Sequence, residues 1–345
     1  MVIGTSSFVT DYLEGVRVGV AKAMAASLPE GGPRRSLYNP LGEFVGRSGK
    51  SIRPALCIAA ARAHGVATER VMPSAVALEL LHNAFLIHDD VEDGSVSRRG
   101  FPTMHAEHGV PIAINVGDGL AALALQPLTQ NLGLLGSTMH NRVMAEFSEV
   151  LKLTIEGQAI ELGWRADNTV DLTSEDYIEM VALKTCAYTT IFPLRIGALI
   201  GSWGRADQEA VSRFGLLLGT AFQITDDLLN LTGDETLYGK EIDGDIAEGK
   251  RTLMLIHLLS AASGRDREFL VDFLRGDRED RFEGDIAAVR ELMTAHGSIE
   301  YGRQYARALA EQAEAAFEGA FGALPDTPDR RFLSAVVDFV VSREL

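Results

Sequence analysis

From Leu80 to Gly100 the chain reads LLHNAFLIHDDVEDGSVSRRG. An apolar run ends in Asp89, Asp90, Glu92 and Asp93, and Arg98 and Arg99 follow a few residues later. On a helix, residues three and four apart share a face, so Asp93 lies on the face of Asp89 and Asp90. Traced backwards, that face carries Phe85, His82 and Leu78, a mostly apolar stripe with carboxylates at one end. Like charges at this spacing cost roughly 0.2–0.5 kcal/mol per pair. Acids at a helix C-terminus oppose the macrodipole at roughly 0.3–1 kcal/mol each. A hard divalent cation offsets both, because Mg²⁺ takes carboxylate oxygens and completes its shell with water and phosphate oxygens. The plain alternative for this patch alone is a solvated acidic helix end.

A distant echo repeats the logic. IHDDVED (87–93) and ITDDLLN (224–230) each place an acidic pair near the end of a long apolar helix. Behind Asp226 and Asp227 the face carries Phe222 or Gln223, then Gly219 and Gly215. Glycines one turn apart either open space on that face or allow close helix packing. Basic residues come in pieces: Lys50 and Arg53 in SGKSIRP, Arg98 and Arg99 in SRRG, Lys184 in LKT, Lys240 in YGKE and Lys250 in EGKRTL. Singly, each reads as a solvated surface charge. GDIAEGKRTL is not a phosphate loop of the strand–GxxxxGK[ST]–helix kind, since both the glycine spacing and a preceding strand are missing.

The elements that must position these groups are helices. Segments near 8–27, 54–64, 73–93, 117–133, 138–164, 174–201, 207–231, 252–261, 266–274, 285–296, 298–322 and 329–343 are rich in Ala, Leu and Glu. Alternating strand patterns are scarce. Breaks fall at 29–35, 46–51, 93–95, 233–245 and 324–329, each with turn residues and none long enough for a domain linker. The expectation is an all-α, single-domain helical bundle over 1–345.

Composition narrows the chemistry. The chain is 46% hydrophobic with a formal net charge of −16, which supports a large core and argues against nucleic acid as a partner. A phosphorylated substrate is compatible with that charge if metal ions shield the acids. Cys57 and Cys186 fit no metal spacing and read as buried thiols in a reducing compartment. The N-terminus has no basic region before an apolar core, and no run of ~18 apolar residues is seen, so a cytoplasmic protein without a membrane span is expected. His105 and His108 lack a companion ligand motif and read as surface or loop packing.

Taken in order, GK..RP, ELLHNAFLIHDDVEDGSVSRRG, EGQ (156–158), KT (184–185), FQITDD and GDIAEGKRTL resemble the trans-isoprenyl diphosphate synthases, or polyprenyl synthetases. The motifs cover roughly residues 45 to 257, and DDxxD followed by RRG is very specific. The resemblance implies about a dozen helices around a central cavity, usually in a homodimer. It implies Mg²⁺, in a set of three ions with Mn²⁺ as the alternative, held by Asp89, Asp90 and Asp93 and by Asp226 and Asp227, on either side of the cavity mouth. Arg98, Lys184, Lys240 and Lys250 would assist an allylic diphosphate. Lys50, Arg53, His82 and Arg99 would bind isopentenyl diphosphate, and Thr185 and Gln223 would face the reacting carbons.

The chain departs from the family pattern at two places. Ser51 stands where many members have a second basic residue, and Asn230 where the second motif often ends in Asp. In both it resembles the geranylgeranyl diphosphate synthases of eukaryotic type. Helix residues one turn below the first motif set the pocket floor in this family. Phe85 is large and Ala84 small, an intermediate depth that favours geranylgeranyl diphosphate over farnesyl or geranylfarnesyl diphosphate. A class I terpene cyclase would need N-D-x-x-S-x-x-x-E where DDLLNLTGD stands, and would have no use for an isopentenyl diphosphate site. A non-catalytic partner subunit would tend to lose its aspartates, whereas five of the six expected are present here.

Overall fold

The structure is a computed structural model that describes residues 2–47, 49–233 and 242–342. Its helices are α1 (Val2–Ala26), α2 (Asn39–Gly46), α3 (Ile52–Ala63), α4 (Thr68–Asp93), α5 (Met104–His108), α6 (Val110–Leu123), α7 (Leu125–Leu135), α8 (Ser137–Ala166), α9 (Ser174–Val181), α10 (Phe192–Gly201) and α11 (Gln208–Thr232). After the segment left undescribed come α12 (Gly244–Glu248), α13 (Leu253–Ala261), α14 (Gly264–Arg275), α15 (Glu283–Ala295), α16 (Ser298–Phe321) and α17 (Pro328–Val341). Among the described residues, the strands are confined to one antiparallel hairpin, β1 (Ser97–Arg98) and β2 (Phe101–Pro102). The all-α expectation holds.

The expected helix over 174–201 is interrupted. Its middle, Ala182–Ile191, is π-helical and carries Lys184 and Thr185. Such wide turns recur at functional sites. The short helices α2, α5 and α12 lie where turn residues hid any helical period. The expected helix at 117–133 begins earlier, because Pro111 sits in the first turn of α6, where its missing N–H has no intrahelical partner to lose.

Residues cluster into two compact units. One comprises Met1–Leu151, Tyr188–Gly215 and Ala313–Phe339; the other comprises Lys152–Ala187, Leu216–Gln312 and Val340–Leu345. Every passage of the chain from one set to the other falls inside a helix, not in a linker.

The first unit is built on α3, α4 and α10. Ala55 to Ala61 of α3 are buried, as is α4 from Pro73 to Ala84. Gly197 and Gly201, one turn apart, let α10 lie directly on α3: a Cβ at either would press on the backbone of Cys57 or Ala61. In the second unit, Ile224, Leu228 and Leu231 of α11, Leu253 to Ile256 with Leu258 and Leu259 of α13, and Val289 and Met293 of α15 form the apolar core.

Two helical stretches, Thr68–Asp93 and Val110–Leu135, are long and apolar enough to cross a membrane by length and composition. This corrects the expectation that none would be. In the first, 83% of the apolar window is buried, so α4 is a core helix. In the second, 44% is buried, and Val110, Ile114, Leu125, Leu132 and Leu134 are exposed.

Candidate active site

The first acidic patch ends α4. Gly94, left-handed at φ 64°, closes the helix by bonding to the carbonyls of Asp90 and Val91. The carboxylates therefore occupy the last turn, as the sequence pattern requires. Asp90 is 0% exposed in its side chain, Asp93 is buried and Asp89 half-buried. The SRRG segment supplies a partner through turn chemistry. Arg99 and Gly100 both have positive φ, 55° and 77°, which a two-residue hairpin turn with right-handed twist demands. The hairpin folds Arg98 back, and both its Nε and Nη2 lie 2.6 Å from Asp90 Oδ1. Asp90 Oδ2 is buried and has no hydrogen-bond partner. Burial pushes the Asp90 carboxyl up to about 6; Arg98 pulls it down, and Asp89 and Asp93 push it further up.

The proposed second-substrate residues share this unit. Arg53, 9% exposed, donates from Nη2 to Thr189 Oγ1 at 2.8 Å and stacks over Tyr188 at 4.3 Å. Tyr188 also meets His82 at 5.8 Å and Phe85 edge-on at 5.5 Å. Arg99 donates to the Arg47 carbonyl at 3.0 Å, and its guanidinium occupies the space where a Cβ at Gly49 would stand. That contact accounts for the glycine of SGKS. Lys50 is exposed on the same loop.

The second patch lies in the other unit. Asp227 is buried and both its oxygens are engaged: Tyr177 Oη donates to Oδ2 at 2.8 Å and Gln223 Nε2 to Oδ1 at 2.6 Å. Burial and then Asp245 push its carboxyl well above the usual range, with Asp226 adding to the rise. Gln223 thus spends its amide on Asp227. Asn230 also has a definite task. Its Oδ1 accepts from the Asp245 N–H at 2.9 Å and its carbonyl from the Asp243 N–H at 2.8 Å, which fixes the start of α12. So Asn230 turns its oxygen to the backbone, and Asp245 is the further carboxylate near Asp227.

Lys184, on the π-helical segment, pairs with Glu161. The EGQ motif acts by close approach: a Cβ at Gly157 would collide with the backbone of Lys184, so α8 packs directly on the KT segment. Thr185 is buried. Lys250 pairs with Glu248 at 2.7 Å and lies 3.6 Å from Asp245. Its loop is clamped by Arg281, which donates to the carbonyls of Ala247, Phe273, Leu274 and Gly276. Lys240 lies outside the described residues. Gly215 serves close packing, since a Cβ there would press on Ile191. His108 lies near Glu43 and Glu107 in an exposed group.

The residues sequence reasoning missed are Tyr177, Tyr188, Glu161 and Asp245. Each is remote from a motif or hidden inside one as an apparent helix filler.

The residue order and this geometry agree with a match over residues 34–293 to the family described as polyprenyl synthetase. The chain belongs to the polyprenyl synthetases. It is 36% identical over 269 residues to a geranylgeranyl diphosphate synthase of Saccharolobus solfataricus, covering 77% of this chain and 78% of that one. It is 34% identical over 310 residues to the octaprenyl diphosphate synthase of Escherichia coli, covering 89% and 90%. A geranylgeranyl pyrophosphate synthase of Corynebacterium glutamicum, solved with isoprenyl diphosphate and magnesium, superposes with a TM-score of 0.83 at 28% identity, covering 98% of each chain. The chain is a trans-prenyltransferase of the all-α isoprenoid synthase fold, in a family that binds diphosphates through divalent metal.

Proposed function

We propose that this polyprenyl synthetase joins isopentenyl diphosphate to an allylic diphosphate and stops at geranylgeranyl diphosphate, with Mg²⁺ held by Asp89, Asp90 and Asp93 and by Asp226 and Asp227. The observation that carries the reading is Asp90. It is wholly buried, Arg98 claims one oxygen, the other has no hydrogen-bond partner, and two carboxylates flank it. An all-oxygen donor set of crowded carboxylates suits a hard cation. When bound, Mg²⁺ neutralises the diphosphate so that it can leave.

The chain's own groups do the rest. Arg98, Lys184, Lys240 and Lys250 hold the allylic diphosphate and spread its developing charge. Apolar faces of α4, with Phe85 and Ala84 one turn below the acids, keep water from the allylic cation. Lys50, Arg53, His82 and Arg99 hold isopentenyl diphosphate so that its double bond attacks that cation, and Thr185 and Gln223 flank the reacting carbons. The proton then leaves to the departed diphosphate. Arg53 and His82, joined through Tyr188 to Phe85, support this division of labour.

The product follows from the same helix. Large Phe85 beside fully buried Ala84 favours an intermediate chain. The chain works as one domain, in the cytoplasm, as a homodimer that covers exposed apolar residues of α6 and α7 such as Ile114 and Leu132. Mn²⁺ is the alternative metal. The test is purified protein with Mg²⁺, farnesyl diphosphate and isopentenyl diphosphate, the dephosphorylated products sized by mass spectrometry. Geranylgeraniol as endpoint is expected. A longer endpoint, or no reaction here but farnesol as the endpoint from a shorter allylic starter, rejects the chain length, and no consumption of isopentenyl diphosphate with any of these starters rejects the reaction.

A further inference from the structure

We propose that Arg278 is a positioning residue for the allylic substrate: it shares the buried Glu248 carboxylate with Lys250, and so lets the Lys250 ammonium pass to the diphosphate without leaving Glu248 uncompensated. The inference rests on the reading above that Lys250 grips that diphosphate.

Arg278 lies outside every motif, in a short 3₁₀ turn (Arg278–Asp280) between α14 and α15. Its Nη1 donates to Glu248 Oε1 at 2.8 Å, and Lys250 Nζ stands 2.7 Å from Oε2. The Glu248 side chain is 7% exposed, and those of Lys250 and Arg278 are each 22% exposed. One buried carboxylate is thus divided between two cations, with one oxygen toward each. The backbone that carries Lys250 is fixed by other groups. Arg281 donates to the Ala247 carbonyl at 2.8 Å, and its guanidinium lies where a Cβ at Gly249 would stand. Arg251 donates to the Gly249 carbonyl at 2.5 Å and to Asn168 Oδ1 at 2.8 Å. The Lys250 N–H donates to the Asp245 carbonyl at 2.9 Å.

With the backbone held by Arg281 and Arg251, the variable part is the lysine side chain, a flexible stem ending in a point charge. Glu248 gives that charge a definite place. The same carboxylate also competes with the diphosphate for it. A buried carboxylate that loses its counter-charge is strongly disfavoured, so Glu248 with Lys250 as its sole cation would hold the ammonium back. Arg278 removes that penalty. Its guanidinium stays charged and keeps its direction, so Glu248 remains paired when Lys250 turns to the diphosphate.

The test is steady-state kinetics of the full chain with Mg²⁺, varying farnesyl diphosphate and isopentenyl diphosphate separately. Arg278→Gln should raise KM for farnesyl diphosphate about fivefold or more, leave KM for isopentenyl diphosphate within about twofold, and be partly rescued by Arg278→Lys. In a Lys250→Ala background the same substitution should change KM for farnesyl diphosphate by less than about twofold, because the two residues act as one unit. Glu248→Asp, whose shorter carboxylate does not span both cations, should raise KM for farnesyl diphosphate about threefold, and it answers the question if Arg278→Gln does not fold. An unchanged or lowered KM for farnesyl diphosphate, equal rises for both substrates, or an undiminished rise in the Lys250→Ala background overturns the inference. If Lys250→Ala alone leaves KM for farnesyl diphosphate unchanged, the assignment of Lys250 falls, and the inference falls with it.

Discussion

The two acidic patches look alike in sequence and are held in opposite ways. At the end of α4, Asp90 is compensated by a full charge: Arg98 contacts Oδ1 twice at 2.6 Å and leaves Oδ2 unclaimed. In α11, Asp227 is compensated by neutral donors, Tyr177 and Gln223, and both oxygens are used. The helical contexts differ too. Asp93 is the last residue of α4, whereas α11 runs on to Thr232, past Asp227. The same pair of residues thus yields one patch that is polarised and incomplete and another that is neutralised by hydrogen bonds. An incomplete buried carboxylate is the better seat for a cation, and a fully bonded one is the better-ordered support.

If that distinction is right, the first patch should dominate catalysis. Asp90→Ala should lower turnover by about 10²–10³ or more, the range seen when a preorganised charge-stabilising group is lost. Asp227→Ala should lower it less, since its oxygens must exchange existing hydrogen bonds to act. Both variants should keep the helical circular dichroism of the wild type. Equal losses would show that the hydrogen bonds of Asp227 do not matter to its function, and near-normal turnover in Asp90→Ala would remove the metal assignment.

Next in size is the response to losing each patch's partner. Arg98→Gln leaves a fully buried carboxylate without its counter-charge, a loss of about 3–5 kcal/mol. Tyr177→Phe leaves one carboxylate oxygen short of a neutral donor, a loss of about 1–3 kcal/mol. Urea unfolding of the metal-free variants measures both. The reverse order would mean that Asp90 is protonated at neutral pH and needs no arginine.

How much of this was legible in the sequence follows from what each feature depends on. The helices read well because α4 and α11 are long and uninterrupted, so apolar content and turn residues mark them without tertiary help. The acids of both patches read well because their spacing is local. The partners did not. Tyr177 is 50 residues from Asp227 and Tyr188 is 135 from Arg53 (188 − 53), and no periodicity connects residues that meet only after folding. Asn230 illustrates the limit: a lost charge was visible, but its capture of the Asp245 N–H depends on a turn 15 residues on. The π-helical turns of Ala182–Ile191 were hidden because their apolar content is that of an ordinary helix. Glycines were the reverse case. Gly157 and Gly49 stood inside motifs with no stated reason, and the backbone or guanidinium lying against them supplies it.

The smallest expected effect separates the patches by pH. In metal-free protein Asp90 ionises near 6, against 3.8 for an unfolded carboxyl. A folded-state value above the unfolded one means that the native state binds the proton more tightly, so stability is lost as pH rises from 3.8 towards 6 and the loss is complete above it. Between pH 5 and pH 7 the additional loss is about 1 kcal/mol, or about 2 °C in melting temperature for a chain of this length. Asp90→Asn abolishes the titration. Its melting temperature in EDTA should therefore gain on that of the wild type by this amount when the pH is raised from 5 to 7, and the gain should shrink when Mg²⁺ is added to the wild type. A gain that is the same at both pH values would mean that Asp90 does not titrate in this window. It is ionised throughout if Arg98 outweighs burial, which would make the first patch as well compensated as the second, or protonated throughout if burial outweighs Arg98, and the order of the Arg98→Gln and Tyr177→Phe losses tells the two apart.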